Sequence, residues 1–492
     1  MIRKLLVANR GEIAIRIARS CREMGIESVL AASQEDLSGM AARYFDDVVS
    51  LGEGDSRETY LNVGRVIDAA RASDADAIHP GYGFLSERSE LAAACEKAGI
   101  AFVGPGPDVI ELMGSKSASR QLMTRLGVPV VPGYDGEDQG LERMVTEAAQ
   151  IGFPLLVKAS AGGGGKGMRV VREAEGLADA LDAARREAGK SFGNDRLLME
   201  RYIERPRHIE FQIFGDVQGS TVHLFERDCS IQRRHQKVVE ETPAPHFSPE
   251  LRHRMSEAAL AAARGVHYTN AGTVEFILAP EGEFYFLEMN TRLQVEHPIT
   301  ECVTGTDLVR AQIRVAEGRP LPWRQEEIVQ RGHAVECRIY AEDADNDFLP
   351  QSGTITSYRE PSGPGIRVDA GVTRGSEITI RYDPMLAKLV AYADSREAAI
   401  DRLVRGLREY VALGLTTNIS FLRRVVDHEA FREGLVHTGF IAEHIESLRK
   451  KRPDEVASIA AVLAGAGGRE ARLPRASAFQ PSVWDSLAGW SQ

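Results

Sequence analysis

Residues 272–298 read Gly272-Thr-Val-Glu-Phe-Ile-Leu-Ala-Pro-Glu-Gly-Glu-Phe-Tyr-Phe-Leu-Glu-Met-Asn-Thr-Arg-Leu-Gln-Val-Glu-His-Pro298. Two strand-like runs, Thr273 to Leu278 and Phe284 to Glu288, flank an Ala-Pro-Glu-Gly turn, which predicts a hairpin. Alternate side chains of a strand share a face, so Glu275 and Glu288 are expected opposite one another at the ends of adjacent strands, with Asn290 just beyond. Two carboxylates and an amide oxygen form a hard oxygen site. Such a site suits Mg²⁺ or Mn²⁺ bound together with the phosphates of a nucleotide. Arg292, Gln294 and Glu296 continue the alternation and would project a cation, an amide and a carboxylate beside the metal, where a small anionic substrate could be clamped. A lone Glu-x-Asn is ordinarily a solvated hairpin; the run from Glu288 to Pro298 carries every one of these residue types within eleven positions.

That run resembles the biotin carboxylase family of ATP-grasp enzymes, in which Glu-Met-Asn-Thr-Arg-Leu-Gln-Val-Glu-His-Pro is close to a signature. The resemblance extends over residues 1 to about 446. It implies three domains and a tail: an N-terminal doubly wound parallel α/β domain (1–113), an ATP-grasp domain with a glycine-rich lid (114–330, lid about 131–203), an α+β C-terminal domain (331–446), and a tail (447–492) that could dock a partner.

Composition agrees with that scale. A chain of 492 residues has room for about three domains and a large core. Apolar content of 43% and charged content of 27% are ordinary for a globular enzyme. No apolar run approaches the roughly 18 residues needed to span a bilayer, and the N-terminus turns to charge too soon for a signal peptide. The five cysteines, Cys21, Cys95, Cys229, Cys302 and Cys337, are widely spaced and form no Cys-x-x-Cys pair, so reduced thiols and a cytoplasmic location are expected. A net charge of −11 argues against a nucleic-acid surface. The locally basic cluster Arg233, Arg234, His235 and Lys237 is better matched to a small anion.

Along the first domain, strand and helix patterns alternate: strands at Lys4–Ala8, Ser28–Ala32 and Ala77–His79, helices at Glu12–Met24, Tyr60–Ala72 and Glu87–Ala98. Alternation of this kind predicts a parallel sheet covered on both faces. Asn9-Arg10-Gly11-Glu12-Ile13-Ala14 lacks the glycines of a dinucleotide fingerprint, so a Rossmann cofactor site is not expected. Lys4–Ser20 and His79–Glu87 resemble the N-terminal domain of biotin carboxylases, and Arg19 and Glu23 match positions at that family's homodimer contact.

In the second segment Leu155–Ala159 reads as a strand carrying Lys158. The loop Ala161–Met168 follows, with five glycines in the six residues Gly162 to Gly167. Without Cβ atoms its backbone N–H groups can close over phosphate oxygens. It is not a Walker A loop, because Lys166 is followed by Gly167 and by no helix. It resembles the mobile glycine loop of ATP-grasp proteins, which implies nucleotide contacts from Gly163, Gly164, Gly165, Lys166, Gly167 and Met168, with phosphate contacts from Lys116 and Lys158. The resemblance further assigns the adenine edge to Glu200 and the backbone of Tyr202 and Ile203 on a strand expected over Leu197–Ile203, and places Leu287 in the ATP site with Glu275 and Glu288. His208, Gln232 and His235 are implied near the ribose, with Lys237 facing the transferring phosphoryl group.

Beyond residue 331, Ala334–Asp343 alternates as a strand. Arg338 on such a strand would ordinarily be exposed, but its match in the family holds the biotin ureido oxygen. Helices are expected near Arg396–Tyr410, Ile419–Asp427 and Ile441–Lys450. The tail ends in Ser482-Val-Trp-Asp-Ser-Leu-Ala-Gly-Trp490, which suggests a docking segment.

The function the resemblance implies is ATP-dependent carboxylation of biotin, the first half-reaction of an acetyl-CoA or other acyl-CoA carboxylase, or of a pyruvate carboxylase. Bicarbonate would lie on Arg292, Gln294 and the Val295 amide, Glu296 would be the base, and Arg338 would stabilise the biotin enolate. No Ala-Met-Lys-Met biotin acceptor occurs in the sequence, so biotin is expected on a separate carrier protein working with a carboxyltransferase subunit. Two alternatives stand beside this reading: another ATP-grasp ligase, and a catalytically idle nucleotide-binding subunit of a carboxylase complex.

Overall fold

The computed structural model describes residues 1–160, 168–234 and 236–449, with Met1–Leu448 forming one unit. Gly163 to Gly167, His235 and the tail from residue 450 onward therefore lie outside the described residues.

The N-terminal sheet has five parallel strands, in the order Asp47–Ser50, Glu27–Ala32, Lys4–Val7, Ala77–His79 and Ala101–Phe102. Its central strands are apolar on both faces because both are covered. Leu5 and Val7 pack with Ile13 and Ile17 of the Gly11–Met24 helix on one side, while Leu6 and Val29 pack with Val66 and Leu91 of the Val63–Ala72 and Ser89–Ala98 helices on the other. The first helix stops at Gly25, whose φ of 68° is the left-handed conformation that closes a helix C-terminus. The second starts three residues later than its periodicity suggests, because the Asn62 side chain accepts from Arg65 N–H and fixes the cap there. Arg19 and Glu23 both stand on the exposed side of the first helix.

A small antiparallel sheet, Gly133–Tyr134, Leu197–Arg201, Leu155–Ala159 and Arg169–Val171 in that order, is backed by the Leu141–Ile151 and Leu177–Phe192 helices. The strand expected to reach Ile203 ends at Arg201, where Tyr202 N–H leaves the ladder for the Pro154 carbonyl at 2.8 Å.

The site is carried by an eight-stranded sheet, ordered Phe284–Asn290, Asn270–Leu278, Arg207–Gly215, Thr221–Arg233, Gln236–Thr242, His333–Tyr340, Met385–Ala393 and Ile366–Ala370. The sequence suggested an α+β domain beginning near residue 331. Its first strand, His333–Tyr340, pairs antiparallel with Gln236–Thr242, so the sheet of the middle segment continues into the C-terminal one. Pairing satisfies an edge that would otherwise expose unpaired N–H and C=O groups. The same strand does not alternate in burial: all eight residues are buried, because the Arg396–Glu409 helix covers one face and the His297–Thr304 helix packs on the other. The helix expected near 441–450 is two short turns, Phe440–Glu443 and Ile445–Leu448. All five cysteines are free, and among the described residues no helix is long and apolar enough to cross a membrane.

Candidate active site

Glu275 and Glu288 are direct cross-strand partners, as the hairpin pattern predicts. A bulge follows at once, with Phe276 paired to Phe286, so Leu287 is the extra residue and stands partly exposed. Glu275 is buried and saturated with donors: its Oε1 accepts from Lys237 Nζ at 2.7 Å, Asn290 Nδ2 at 2.9 Å and Gln294 Nε2 at 3.1 Å, and its Oε2 lies 2.9 Å from His208 Nε2. Burial disfavours its charge, but Lys237 and His208 outweigh that and hold the carboxyl well below its usual range. His208 is in turn raised, Glu275 overcoming the desolvation that would lower it. Glu288 moves the other way, raised by burial and then by the Glu275 charge.

Asn290 departs from the expected oxygen site. Its amide nitrogen faces Glu275 while its carbonyl oxygen accepts from Arg292 Nη2 at 3.0 Å. The charged guanidinium is the stronger donor, so it orients the amide.

Arg292, Gln294 and Glu296 do face one site, but from a turn rather than from an extended strand. Arg292 Nη1 donates to Gln294 Oε1 at 2.9 Å, and its Nε lies 2.9 Å from Glu87 Oε2 of the N-terminal domain. Glu296 is fully buried: its Oε1 accepts from Lys237 Nζ at 2.7 Å, and its Oε2 from Arg338 Nη2 at 3.0 Å. Against the desolvation of that burial, Lys237 and Arg338 hold its carboxyl well below the ordinary carboxylate range. Arg338 is 8% exposed and donates its Nε to Glu240 Oε1 at 2.6 Å. Lys237 also contacts Glu210, so one ammonium joins three carboxylates.

His208 and Gln232 belong to the same network, Gln232 Nε2 lying 2.9 Å from His208 Nδ1. Lys158 and Glu200 pair with each other on the small sheet, where Glu200 also accepts from Arg120 at 3.1 Å. Tyr202, Ile203 and Met168 follow or precede strands of that sheet, and Lys116 opens the Lys116–Arg125 helix, exposed, its charge acting on Glu288. The basic cluster at 233–237 divides. Arg233 pairs with Glu342 and Arg234 with Asp347, both at 2.9 Å, so these two tie the hairpin to the C-terminal lobe, and of the cluster's described residues Lys237 is the one that enters the site.

Sequence reasoning passed over Glu210, Arg227, Glu240, Glu87 and Lys388. Arg227 is fully buried and bonds Glu210, Gln212 and Thr300. The signal was a charge inside an apolar strand, as in Ile209-Glu210-Phe211, where a charge is buried only if it is partnered.

Two mixed α/β lobes, a small antiparallel sheet whose sequence carries a glycine-rich run, and a carboxylate-bearing hairpin facing a buried lysine define an ATP-grasp ligase fold. Residues 1–110 match the family described as "Biotin carboxylase, N-terminal domain", residues 115–324 "Carbamoyl-phosphate synthase L chain, ATP binding domain", and residues 336–443 "Biotin carboxylase C-terminal domain". The chain is 49% identical to the mitochondrial methylcrotonoyl-CoA carboxylase subunit alpha of Dictyostelium discoideum, over 99% of this chain and 70% of that one. It is also 49% identical to the biotin carboxylase of Nostoc sp., over 89% of this chain and 98% of that one. The biotin carboxylase domain dimer of the Hydrogenobacter thermophilus 2-oxoglutarate carboxylase, solved with MgADP, ADP and bicarbonate, superposes with a TM-score of 0.87 at 45% identity, covering 92% of this chain and all of that one. The chain thus belongs to the biotin carboxylase family, ATP-dependent ligases of the biotin-dependent carboxylases. It spans between 61% and 70% of the methylcrotonoyl-CoA carboxylase alpha subunits it matches.

Proposed function

We propose that this protein carboxylates biotin with bicarbonate, using ATP and passing through carboxyphosphate. The observation that carries the reading is the Glu296 carboxylate, fully buried between Lys237 and Arg338 in the same turn as Arg292 and Gln294.

In this reading the nucleotide lies between the small sheet and the Glu275–Glu288 hairpin. Lys116, Lys158 and the glycine loop take its phosphates. Glu200 and the backbone at Tyr202 and Ile203 take the adenine; Tyr202 N–H is already given to Pro154, so that contact falls to its carbonyl. Glu275, Glu288 and, after its amide turns, Asn290 fit Mg²⁺ or Mn²⁺, because a divalent cation removes the repulsion that raises Glu288. The bound ion would neutralise phosphate charge.

Bicarbonate rests on Arg292, Gln294 and the Val295 N–H, and Glu296 removes its proton as it attacks the γ-phosphorus; the bond from that phosphorus to the β–γ bridging oxygen breaks and ADP leaves. A carboxylate held as low as Glu296 is a weak base. When Lys237 turns to the transferring phosphoryl group, Glu296 loses one of its two cationic partners and its proton affinity rises at the moment of need. Carboxyphosphate then breaks to CO₂ and phosphate, the phosphate takes the biotin N1′ proton, and the enolate held by Arg338 captures CO₂ to give carboxybiotin. Carboxyphosphate has to be kept from water until it breaks down in the site. Biotin arrives on a carrier protein, and a carboxyltransferase passes the carboxyl group to an acyl-CoA or 2-oxo acid. The exposed helix face with Arg19 and Glu23 is the proposed homodimer contact.

The test is ADP release from Mg·ATP with bicarbonate varied, with and without free biotin. Bicarbonate-dependent turnover raised by biotin is the expected result. Turnover that ignores both would overturn the reading in favour of a different ATP-grasp ligase.

A further inference from the structure

Lys388 has no part in the chemistry above, yet it touches the turn that performs it. It lies on the Met385–Ala393 strand, fully buried, in direct register with Arg338 on one neighbouring strand and Asp369 on the other. Residues in direct register project from the same face of a sheet. Arg338 and Lys388 therefore stand side by side and reach consecutive residues of one turn. Arg338 Nη2 holds the Glu296 carboxylate at 3.0 Å, and Lys388 Nζ donates to the Val295 carbonyl at 2.8 Å.

The other partner of Lys388 is Glu12 Oε1, 3.2 Å away at the start of the Gly11–Met24 helix, and the Tyr82 ring centroid lies 5.8 Å from Nζ. Helix and sheet meet closely here: a Cβ on Gly371 would fall 2.6 Å from Glu12 N, so only glycine fits. One ammonium thus joins the first helix, the C-terminal strand and the catalytic turn.

Stability alone does not account for it. Removing two charges from water costs several kcal/mol, and apolar replacements of buried pairs are often neutral or stabilising. What an apolar side chain at 388 could not supply is a donor to the Val295 carbonyl.

We infer that Lys388, supported by Glu12, is a positioning residue that locks the Val295 peptide and so sets the bicarbonate pocket. It touches no reacting atom. By holding the carbonyl of Val295 while Arg338 holds the next side chain, it fixes the Val295–Glu296 peptide and restricts the turn that carries the Val295 N–H one peptide earlier. The inference rests on the bicarbonate reading of this turn.

The experiment compares steady-state kinetics of the wild type with Lys388→Met, Lys388→Arg and the double variant Lys388→Met/Glu12→Gln, the last removing the carboxylate that Lys388 contacts at 3.2 Å should the single variant fold poorly. The loss of one buried hydrogen bond to the turn raises the KM for bicarbonate by about tenfold, with the KM for Mg·ATP within about twofold, and the Arg variant recovers part of the loss. An unchanged bicarbonate KM in a folded variant, or equal loss for ATP and bicarbonate, overturns the inference. A wild type without bicarbonate dependence would overturn the reading of the turn itself, and is told apart because it is seen before any substitution.

Discussion

Glu240 and Glu241 are consecutive on the Gln236–Thr242 strand and send their carboxyls to opposite faces of the large sheet. Glu240 accepts from Arg338 Nε at 2.6 Å in the site, whereas Glu241 accepts from His333 Nε2 at 2.8 Å and Arg396 Nε at 2.7 Å on the other side. Both are buried, and their titration diverges. Burial pushes Glu240 up to about 7 in spite of Arg338. For Glu241 burial pushes upward too, but the His333 hydrogen bond and the Arg396 charge outweigh it and bring it down to about 2. One face of the strand carries reactive charge; the other anchors the C-terminal lobe.

Replacing Glu296 with Gln keeps the shape of the turn and removes the proposed base. Bicarbonate-dependent ATP cleavage should fall by about 10²- to 10⁴-fold, the range of a general base, while ADP affinity changes little. ADP release and nucleotide titration check this; a variant retaining most of its turnover would show that the proton goes elsewhere.

Arg338→Gln leaves Glu240 and Glu296 without their shared guanidinium. Glu240, already raised to about 7 with Arg338 beside it, rises further without that cation, which favours its neutral form. Biotin-dependent carboxylation should drop by roughly 10²- to 10³-fold, as when an oxyanion donor is lost. Assays of carboxybiotin formation beside nucleotide binding separate this from general damage: equal losses in both would count against a role at the biotin enolate.

What the sequence made legible was local. Period-two patterning put Glu275 opposite Glu288, and strand-helix alternation foretold the parallel sheet, because both depend on neighbours along the chain. Glu210, Glu240 and Lys388 could not be read that way. Each enters the site through a strand pairing between distant segments, such as Gln236–Thr242 with His333–Tyr340, and local periodicity carries no record of its partner strand. Arg233 and Arg234 are the reverse case. Their local charge pointed at an anion, but the acids that neutralise them, Glu342 and Asp347, lie more than a hundred residues on.

Glu288 gives a test of the metal site. Burial and Glu275 raise its carboxyl, and a divalent cation between the two would bring it back down. Glu288→Gln should raise the half-saturating Mg²⁺ for ATP cleavage by about tenfold or more, the effect of about 1.4 kcal/mol. It should also blunt the rise in Tm that Mg·ADP gives the wild type. An unaltered Mg²⁺ requirement would move the ligand role to another acid.

Glu241 predicts how the fold fails in acid. Its ordinary value of 4.5 falls to about 2 in the folded protein, so the folded state binds this proton less readily than the unfolded one. The stability it contributes is fully present above pH 4.5 and is lost as pH falls from 4.5 towards 2. A shift of that size corresponds to roughly 3 kcal/mol. Glu241→Gln should therefore lower Tm most at pH 6 to 7, and the gap to wild type should narrow steadily below pH 4.5. The acid also anchors Arg396, which donates onward to the Phe431 and Arg432 carbonyls, so the variant's loss should fall on the C-terminal lobe, read as faster amide exchange there. A Tm gap constant from pH 7 to pH 3 would mean that the charge of Glu241 contributes nothing and only its shape matters.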